Sequence, residues 1–394
     1  MLIKSDKIYC EDSLQDGCLV IEDGRIVDIL TSHSNIKPWV DYSGYRIIPG
    51  IIDTHIHGTR GYGLMSVDVP DPLAEVRGFL KGCAANGITG VFPTASPEMC
   101  KHVALVASEQ PTGARILGIH SEGPYLNRVG EHGVQTEPPV VDMELVQRIY
   151  ADCDGYLKLM AIAPEIEGSQ QVIDYLRARG VMLSLAHSNC NYQEAMQAFA
   201  NGLSVSTHTG NVMSGIHHRN MGGLGACLLN ESVHCEVICD GLHIAPEMLK
   251  LMFRVKDVDH WFMISDSSEV SGAPQGTYQF GEFKLAVDRQ GFCKTETGRL
   301  MGSTKSILYG ISVLASQLHI PVEKILRMSS LNAARFYGCG DHKGSIAIGK
   351  HADLVVIDDD FEAVATYVEG RKVYDRTKEN NFFKADYTLK FKIN

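Results

Sequence analysis

Short apolar runs alternate with helix-like stretches through the middle of the chain. The stretches between the runs, such as "GSQQVIDYLRARG" and "NYQEAMQAFANG", place apolar residues three and four positions apart and have a glycine near their ends. Eight such strand–helix units in about 290 residues predict an α/β fold, a (β/α)8 TIM-like barrel rather than an open doubly wound sheet. The runs are 50–57, 88–96, 116–123, 157–165, 182–188, 204–210, 234–241 and 261–268.

The two ends of the chain have a different pattern, with short strands separated by turns. The segment "GCLVIEDGRIVDIL" is interrupted at Asp23-Gly24, a dipeptide typical of hairpins, and "HADLVVIDDDFEAVATYVEGRKVYD" is similar. We therefore expect both chain ends to form one small β domain from 1–49 and 341–394, beside a barrel at 50–340.

Composition excludes several classes of partner. The chain has 394 residues, 44% of them apolar and 21% charged, which indicates a large domain plus a smaller one. A net charge of −11 argues against nucleic acid or an anionic membrane as the main partner, although a local basic pocket can still bind a small anion.

Cysteine usage and hydropathy predict a cytoplasmic protein. The 11 cysteines form no CxxC pair, as expected for free thiols in a reducing compartment. The start "MLIKSDKIYCEDSLQ" lacks the apolar core of a signal peptide, and no apolar run reaches the roughly 18 residues that span a bilayer.

Histidine, glutamate or aspartate ends most of the eight runs. In a barrel of this kind the carboxyl ends of the strands open onto one face, so residues far apart in sequence converge there. The residues at these ends are His55 and His57, His120 and Glu122, Glu165, His187, His208, Asp240 and His243, and Asp266.

These residues predict a metal site. Side chains alternate along a strand, so His55 and His57 point the same way, towards the barrel mouth. Glu122, His187 and His208 supply one carboxylate and two imidazoles, the ligand count of a catalytic metal with one position left for water. Such ligands suit Zn²⁺ or Fe²⁺, because a Ca²⁺ or Mg²⁺ cage would use more oxygen and less histidine.

Asp266 ends the last run in "WFMISDSSEV". A carboxylate directed inward from an apolar strand needs a partner, since unpaired burial is costly. Beside a water activated by a metal, Asp266 would take its proton and return it to a leaving group.

Simpler interpretations exist for single residues. One histidine at a strand end is commonly a hydrogen-bonded structural residue, Asp240 could cap its turn, and Glu165 could be an N-cap or an ion-pair partner. His217 and His218 lie in a polar loop and are expected to be solvated. The pattern over most of the eight runs favours a metal-dependent hydrolase all the same.

The motifs resemble those of the N-acetylglucosamine-6-phosphate deacetylase family within the amidohydrolase superfamily. The resemblance extends over about residues 1–375, with the motifs in the family's order. They are "PGIIDTHIHG", "GIHSEGPYL", "IAPE", "LAHSN", "STHTGNVM", "CDGLHI", "ISDSSEVSG", "LMGSTKS" and "GSIAIGKHADLVVID".

The resemblance implies a fold, a reaction and roles for individual residues. The chain ends would form a β-sandwich, and the barrel would hydrolyse the acetamide of N-acetylglucosamine 6-phosphate. One divalent ion, Zn or Fe, is expected at Glu122, His187 and His208, with His55 and His57 as the pair used where a second ion is bound. Asp266 is implied as general base and acid. The resemblance implies that His132 contacts the acetamide and takes part in catalysis. It implies that Asn211 and Val212 contact the sugar phosphate and that Arg219 and His243 bind the phosphate. In the family the protein is a homodimer, and Arg219 would reach in from the other subunit.

Departures from the family's motifs leave the identity of the substrate sugar open. Ser121 precedes the metal glutamate, Thr209-Gly210 follow His208, Met221 replaces a proline, and "SDSSEVSG" replaces a Thr-Asp-Ala pattern. N-acetylgalactosamine 6-phosphate or another acylated amine is therefore an alternative substrate. Other amidohydrolases that bridge two metals with a lysine are disfavoured because the fourth run ends in Ala163-Pro164-Glu165, and a non-catalytic binder would lack a ligand or Asp266.

Overall fold

The computed structural model describes residues 1–31, 40–129, 134–135, 137–280, 283–298, 300, 302–379 and 383–384. The strands, in chain order, are β1 (Leu2–Tyr9), β2 (Leu14–Glu22), β3 (Arg25–Thr31), β4 (Val40–Asp41), β5 (Arg46–Pro49), β6 (Ile51–Ile56), β7 (Gly58–Thr59), β8 (Tyr62–Gly63), β9 (Ile88–Pro93), β10 (Arg115–Ile116), β11 (Ile119–Glu122), β12 (Arg128–Val129), β13 (Val134–Gln135), β14 (Leu157–Ile162), β15 (Met182–Leu185), β16 (Val205–Ser206), β17 (His234–Ile238), β18 (Trp261–Ile264), β19 (Gly276–Phe280), β20 (Phe283–Val287), β21 (Cys293–Thr295), β22 (Leu354–Ile357), β23 (Ala363–Val368) and β24 (Arg371–Asp375). The α-helices are α1 (Pro72–Ala85), α2 (Cys100–Ala107), α3 (Met143–Asp152), α4 (Ser169–Arg177), α5 (Tyr192–Ala200), α6 (Gly222–Leu229), α7 (Pro246–Val255), α8 (Ile307–Ser316), α9 (Val322–Leu326) and α10 (Asn332–Phe336). A 3-10 helix spans Val258–His260 and a π-helix spans Arg327–Leu331.

Both ends of the chain contribute strands to one eight-stranded sheet. Its order is β24-β23-β22-β5-β1-β2-β3, and β4 pairs with β1. The N- and C-terminal parts meet where β5 runs antiparallel to β22, with Ile47 opposite Val356. Asp23 and Gly24, between β2 and β3, have φ of 47° and 77°, the left-handed backbone that a tight hairpin turn requires.

Each of the eight predicted runs contains a parallel strand, and these strands form a curled sheet. The third run also includes the end of the short β10, which pairs with β9. β6 pairs with β9, and β11, β14, β15, β16, β17 and β18 follow one another in sequence order. A parallel bridge between Thr94 and His120 connects the two groups. The Asp266 N–H donates to the His55 carbonyl at 3.0 Å, so the last strand also comes back to the first. The carboxyl ends of the strands consequently face a common space.

Helices follow most of the parallel strands, and α1, α3, α5 and α8 begin with a side-chain cap. α5 begins with a capping box, in which Asn191 accepts from the backbone of Glu194 while the Glu194 side chain accepts from Asn191. Its apolar face buries Ala195, Ala198 and Phe199. Among the helices within the described ranges, none has the length and apolar character needed to cross a membrane.

An antiparallel sheet of β19, β20 and β21 lies between β18 and α8. It has its own small core, which includes Val270, Tyr278 and Leu285. The regular alternation of strands and helices does not predict this insertion.

Candidate metal centre

The structure brings six predicted site residues together at the carboxyl ends of the parallel strands. They converge although the chain between the first and the last is more than 200 residues long. They are His55 in β6 and His57 just after it, Glu122 at the end of β11, His187 after β15, His208 after β16, and Asp266 after β18.

Glu122, His187 and His208 form the first group. Glu122 Oε1 lies 2.9 Å from Nε2 of His187 and 2.9 Å from Nε2 of His208, and the two nitrogens are 3.0 Å apart. In tetrahedral zinc sites, bonds of about 2.0–2.2 Å put neighbouring ligand atoms about 3.3–3.6 Å apart, so these atoms would spread by a few tenths of an ångström around a bound ion. Two imidazole nitrogens and a carboxylate oxygen directed at one point therefore fit a divalent cation.

His55, His57 and Asp266 form the second group. Nε2 of His55 is 3.2 Å from Nε2 of His57, and both lie 3.4 Å from Asp266 Oδ1. Glu122 connects the groups, because its Oε2 is 3.2 Å from His57 Nε2. Within each group the candidate ligand atoms lie within 4.8 Å of one another. The donor set therefore fits one ion and leaves a place for a second beside it.

Three of these residues have a strained backbone. His187, His208 and Asp266 have φ of 46°, 34° and 47°, in the left-handed region that side chains other than glycine rarely adopt. Such a conformation costs on the order of 1–3 kcal/mol and tends to occur at functional sites. At these three strand ends it turns the side chain towards the shared centre.

Neighbouring groups in the centre lower the pKa values of the two carboxyl groups and raise that of His57. Burial opposes ionisation of Glu122, yet His55 and His187 beside it hold its pKa well below the usual range. Burial likewise opposes ionisation of Asp266, and His55 and His57 lower its pKa. Burial alone would lower the pKa of His57, but hydrogen bonds to Asp266 and Glu122 raise it to about 10. In the metal-free protein the carboxylates are therefore ionised and His57 is protonated.

Glu165 holds neighbouring loops together. Its carboxylate accepts from Asn127 Nδ2 at 2.8 Å, Ser188 Oγ at 2.6 Å and the Asn189 N–H at 2.6 Å. Asn127 N–H also donates to the His187 carbonyl at 3.1 Å. Glu165 is therefore neither an N-cap nor an ion-pair partner in these contacts; it fixes the loop that carries His187.

Asp240 caps its turn and also orients His243. Asp240 Oδ1 accepts from the backbone of Leu242 and His243, and its Oδ2 lies 2.8 Å from His243 Nδ1. Ser303 Oγ donates to the same Oδ2 at 3.0 Å. The ring of His243 is thus held with Nδ1 engaged.

The remaining predicted residues within the described ranges do not belong to either donor group. Asn211 and Val212 follow His208 in the same loop, half-buried, and Asn211 Nδ2 donates to the His208 carbonyl at 3.2 Å. Arg219 is exposed, and its Nε donates to Nε2 of His218 at 2.8 Å. None of the contacts described for Arg219 reaches the metal centre. His132 lies outside the described residues.

Glu236 and His120 are buried directly beneath His55. The sequence pattern predicts His120 at a strand end but assigns neither residue to the metal site. The available signal was a glutamate within the apolar strand "HCEVI", which is unusual for a fully buried position. Burial, followed by the neighbouring His55, lowers the pKa of His120 to about 4, so its ring is neutral.

Comparison with known proteins identifies the class. The model of the amidohydrolase family matches residues 46–377, and the chain belongs to that family. Its members are typically dependent on divalent metals, in agreement with the donor groups described above.

Full-length relatives place the chain more narrowly. It is 31% identical to the N-acetylglucosamine-6-phosphate deacetylase of Vibrio furnissii over 92% of both chains. It is 29% identical to an N-acetylgalactosamine-6-phosphate deacetylase of Escherichia coli O157:H7, over 94% of this chain and 98% of that protein. A mutant N-acetyl-D-glucosamine-6-phosphate deacetylase from Mycobacterium smegmatis, solved in complex with N-acetyl-D-glucosamine 6-phosphate, superposes with a TM-score of 0.82 at 27% identity, covering 95% of this chain and 99% of that one. Within the amidohydrolases, the chain is a member of the N-acetylglucosamine-6-phosphate deacetylase family.

Proposed function

We propose that the protein hydrolyses the acetamide of an N-acetylhexosamine 6-phosphate, N-acetylglucosamine 6-phosphate in the first place, to acetate and the amino-sugar 6-phosphate. The observation that carries this proposal is the convergence of Glu122, His187 and His208 with Asp266 in a chain 31% identical to such a deacetylase. The galactosamine epimer is the second candidate, because a relative of similar identity is named for it.

The metal-binding role falls to two sets of side chains. We assign one Zn or Fe ion to Glu122, His187 and His208, and a second place to His55 and His57. A divalent ion held there supplies Lewis acidity, which polarises the amide carbonyl and lowers the pKa of water towards neutrality.

Asp266 is assigned the proton transfers. Burial opposes ionisation of Asp266, but in the metal-free protein His55 and His57 lower its pKa, and a divalent cation in their place would act in the same direction. The ionised carboxylate can therefore accept the proton of the attacking water. It then passes that proton to the amine as the C–N bond breaks. His132 stays a predicted contact of the acetamide.

Substrate binding is assigned to the loops above the centre. His243, oriented by Asp240, and Arg219 would bind the phosphate, with Asn211 and Val212 beside the sugar phosphate. The exposure of Arg219 supports the proposal that it reaches the site of the other subunit in a homodimer. These residues would form a local positive site in an acidic chain.

For the architecture we propose a (β/α)8 barrel over 50–340 and a β-sandwich from 1–49 and 341–394. The curled parallel sheet and the sheet shared by both chain ends support this division. A cytoplasmic location is also proposed, and the 11 unpaired cysteines suit it.

Acetate release tests the proposal. N-acetylglucosamine 6-phosphate and its galactosamine epimer are compared with the two unphosphorylated sugars, using metal-loaded protein. Fast release from one phosphorylated sugar is expected and identifies the epimer. Release from none of the four, with metal bound, would contradict the proposal and point to a different acylated amine.

A further inference from the structure

His55 has two nitrogens in different surroundings. Its Nε2 faces His57 and Asp266, as described above, while its Nδ1 points into the interior of the curled sheet. There Nδ1 lies 3.7 Å from Glu236 Oε2, too far for a direct hydrogen bond. The His120 ring packs against the His55 ring, with centroids 4.6 Å apart.

Three polar atoms in this interior lack a hydrogen-bond partner among the described residues. They are His55 Nδ1, His120 Nε2 and Glu236 Oε2, and all three side chains are fully buried. The candidate ligand atoms of these residues lie within 4.8 Å of one another. Buried polar atoms normally have a hydrogen-bond partner. Because these three atoms lie close together, we infer that they share one.

The hydrogen-bonding roles of the three atoms follow from their other contacts. His120 Nδ1 lies 3.1 Å from the Thr54 carbonyl, which can only accept, so Nδ1 carries a hydrogen and Nε2 is left as the acceptor. Thr54 Oγ1 donates to Glu236 Oε1 at 2.5 Å, which leaves Oε2 as a second acceptor. His55 must keep Nε2 unprotonated to bind a metal, so its Nδ1 carries the hydrogen and donates.

We propose that Glu236 and His120 are positioning residues that hold His55, through one buried water molecule, as the Nδ1–H tautomer with Nε2 directed at the metal centre. A water molecule accepts from the one donor and donates to the two acceptors, which matches the three atoms. The inference rests on the proposed function in one respect, that His55 binds a metal.

A cation in place of the water fits less well. Ligation by His55 Nδ1 would require that nitrogen to lose its hydrogen while Nε2 faces the neighbouring centre. A water molecule instead uses all three atoms in the roles that their other contacts leave them, with His55 Nδ1 donating and His120 Nε2 and Glu236 Oε2 accepting.

Zinc affinity in two variants of Glu236 tests the proposal. Glu236→Met removes the acceptor with little change in size, whereas Glu236→Gln keeps an oxygen that can accept. The dissociation constant of zinc is measured for each variant by competition with a chelator, which requires no substrate. Mutation of a residue that positions a metal-binding histidine typically lowers metal affinity about 10–100-fold. We therefore expect a loss of that size in Glu236→Met, and an affinity close to that of the unaltered protein in Glu236→Gln.

A matched control separates positioning from general stability. Thr366 Oγ1 donates to the Ala84 carbonyl at 2.7 Å, buried and outside the metal centre, so Thr366→Val removes one buried hydrogen bond elsewhere. This control should lower the melting temperature and leave zinc affinity unchanged. Unchanged affinity in Glu236→Met would overturn the proposal, as would loss of one whole ion per chain at saturating zinc, which would make Glu236 a ligand.

The tautomer can be read in the unaltered protein, so the test survives if Glu236→Met does not fold. Long-range ¹H–¹⁵N spectra of ¹⁵N-histidine-labelled, zinc-loaded protein, with the His55 signal assigned by its loss in His55→Gln, should show hydrogen on Nδ1. Hydrogen on Nε2 would overturn the proposal. Neither measurement uses acetate release, so a failed proposed function and a failed positioning role remain distinguishable.

Discussion

At the scale of single residues, Asp266 has contacts suited to proton transfer. Its Oδ1 faces two imidazoles at 3.4 Å, and its left-handed backbone directs it into the centre. Asp266→Asn keeps the shape but removes the basic oxygen, so we expect kcat to fall by about 10² or more while metal content and melting temperature stay the same. Steady-state kinetics with elemental analysis checks this, and unchanged kcat would remove Asp266 from the mechanism.

His57 makes metal binding sensitive to pH. Its pKa of about 10 in the metal-free protein means that it is protonated at neutral pH and must release that proton to bind a metal. Affinity should therefore rise with pH up to about that value. Calorimetric titration with zinc in buffers of different ionisation enthalpy should report proton release, and a smaller release in His57→Gln. Enthalpies identical in all buffers would contradict this.

The sequence predicts some of these residues and not others, for physical reasons. His55 and His57 are recognisable because their spacing of two on a strand puts both side chains on one face. Glu236 comes from a strand 181 residues further along the chain, and only the curled sheet shows that it lies under His55. The left-handed backbone of His187, His208 and Asp266 likewise depends on tertiary contacts.

At the scale of elements, Glu369 connects the sheet of the chain ends to the parallel strands. It lies in the turn between β23 and β24 and accepts from Arg115 of β10 at 2.9 and 3.2 Å, with Lys343 Nζ at 3.4 Å. Burial opposes ionisation of Glu369, yet Arg115 and Lys343 lower its pKa to about 2.

This contact predicts a pH-dependent stability. A carboxyl group whose pKa is lower in the folded state stabilises fully above its unfolded pKa, about 4.5, and loses that contribution as the pH falls to about 2. Glu369→Gln should lower the free energy of unfolding by about 1–3 kcal/mol at pH 7, with the difference shrinking below pH 4.5. Urea unfolding of both proteins at several pH values measures it, and a difference constant down to pH 2.5 would contradict the assignment.

Strand positions are predictable from the sequence where a run is buried on both sides. β6 and β9 are buried at every residue. β9 (ITGVFP) is mostly apolar, whereas β6 (IIDTHI) begins with two isoleucines and is then interrupted by Asp53, Thr54 and His55. The insertion of β19, β20 and β21 is missed because its strands have only a small core of their own. The turn pattern predicts only that the two chain ends form one β domain; neither the pairing of β5 with β22 nor its register follows from it.

At the scale of the whole molecule, the exposed Arg219 allows a test of subunit cooperation. If Arg219 acts in the partner's site, a hybrid dimer of Arg219→Ala and Asp266→Asn chains contains one site with both residues intact. Random pairing of equal amounts should then recover about a quarter of the wild-type activity, although each variant alone is nearly inactive. Co-expressed mixtures checked for dimer mass provide the measurement, and activity no higher than the mean of the parents would place Arg219 in its own chain's site.

Metal-dependent deacetylation is the central claim, and one measurement tests it most directly. Acetate release from N-acetylglucosamine 6-phosphate and its galactosamine epimer is followed before chelation, after chelation, and after zinc or iron is restored. We expect release from one epimer to fall to background on chelation and to return as the ion approaches one equivalent per chain. Full activity in the chelated protein, or no release with metal bound, would contradict the account.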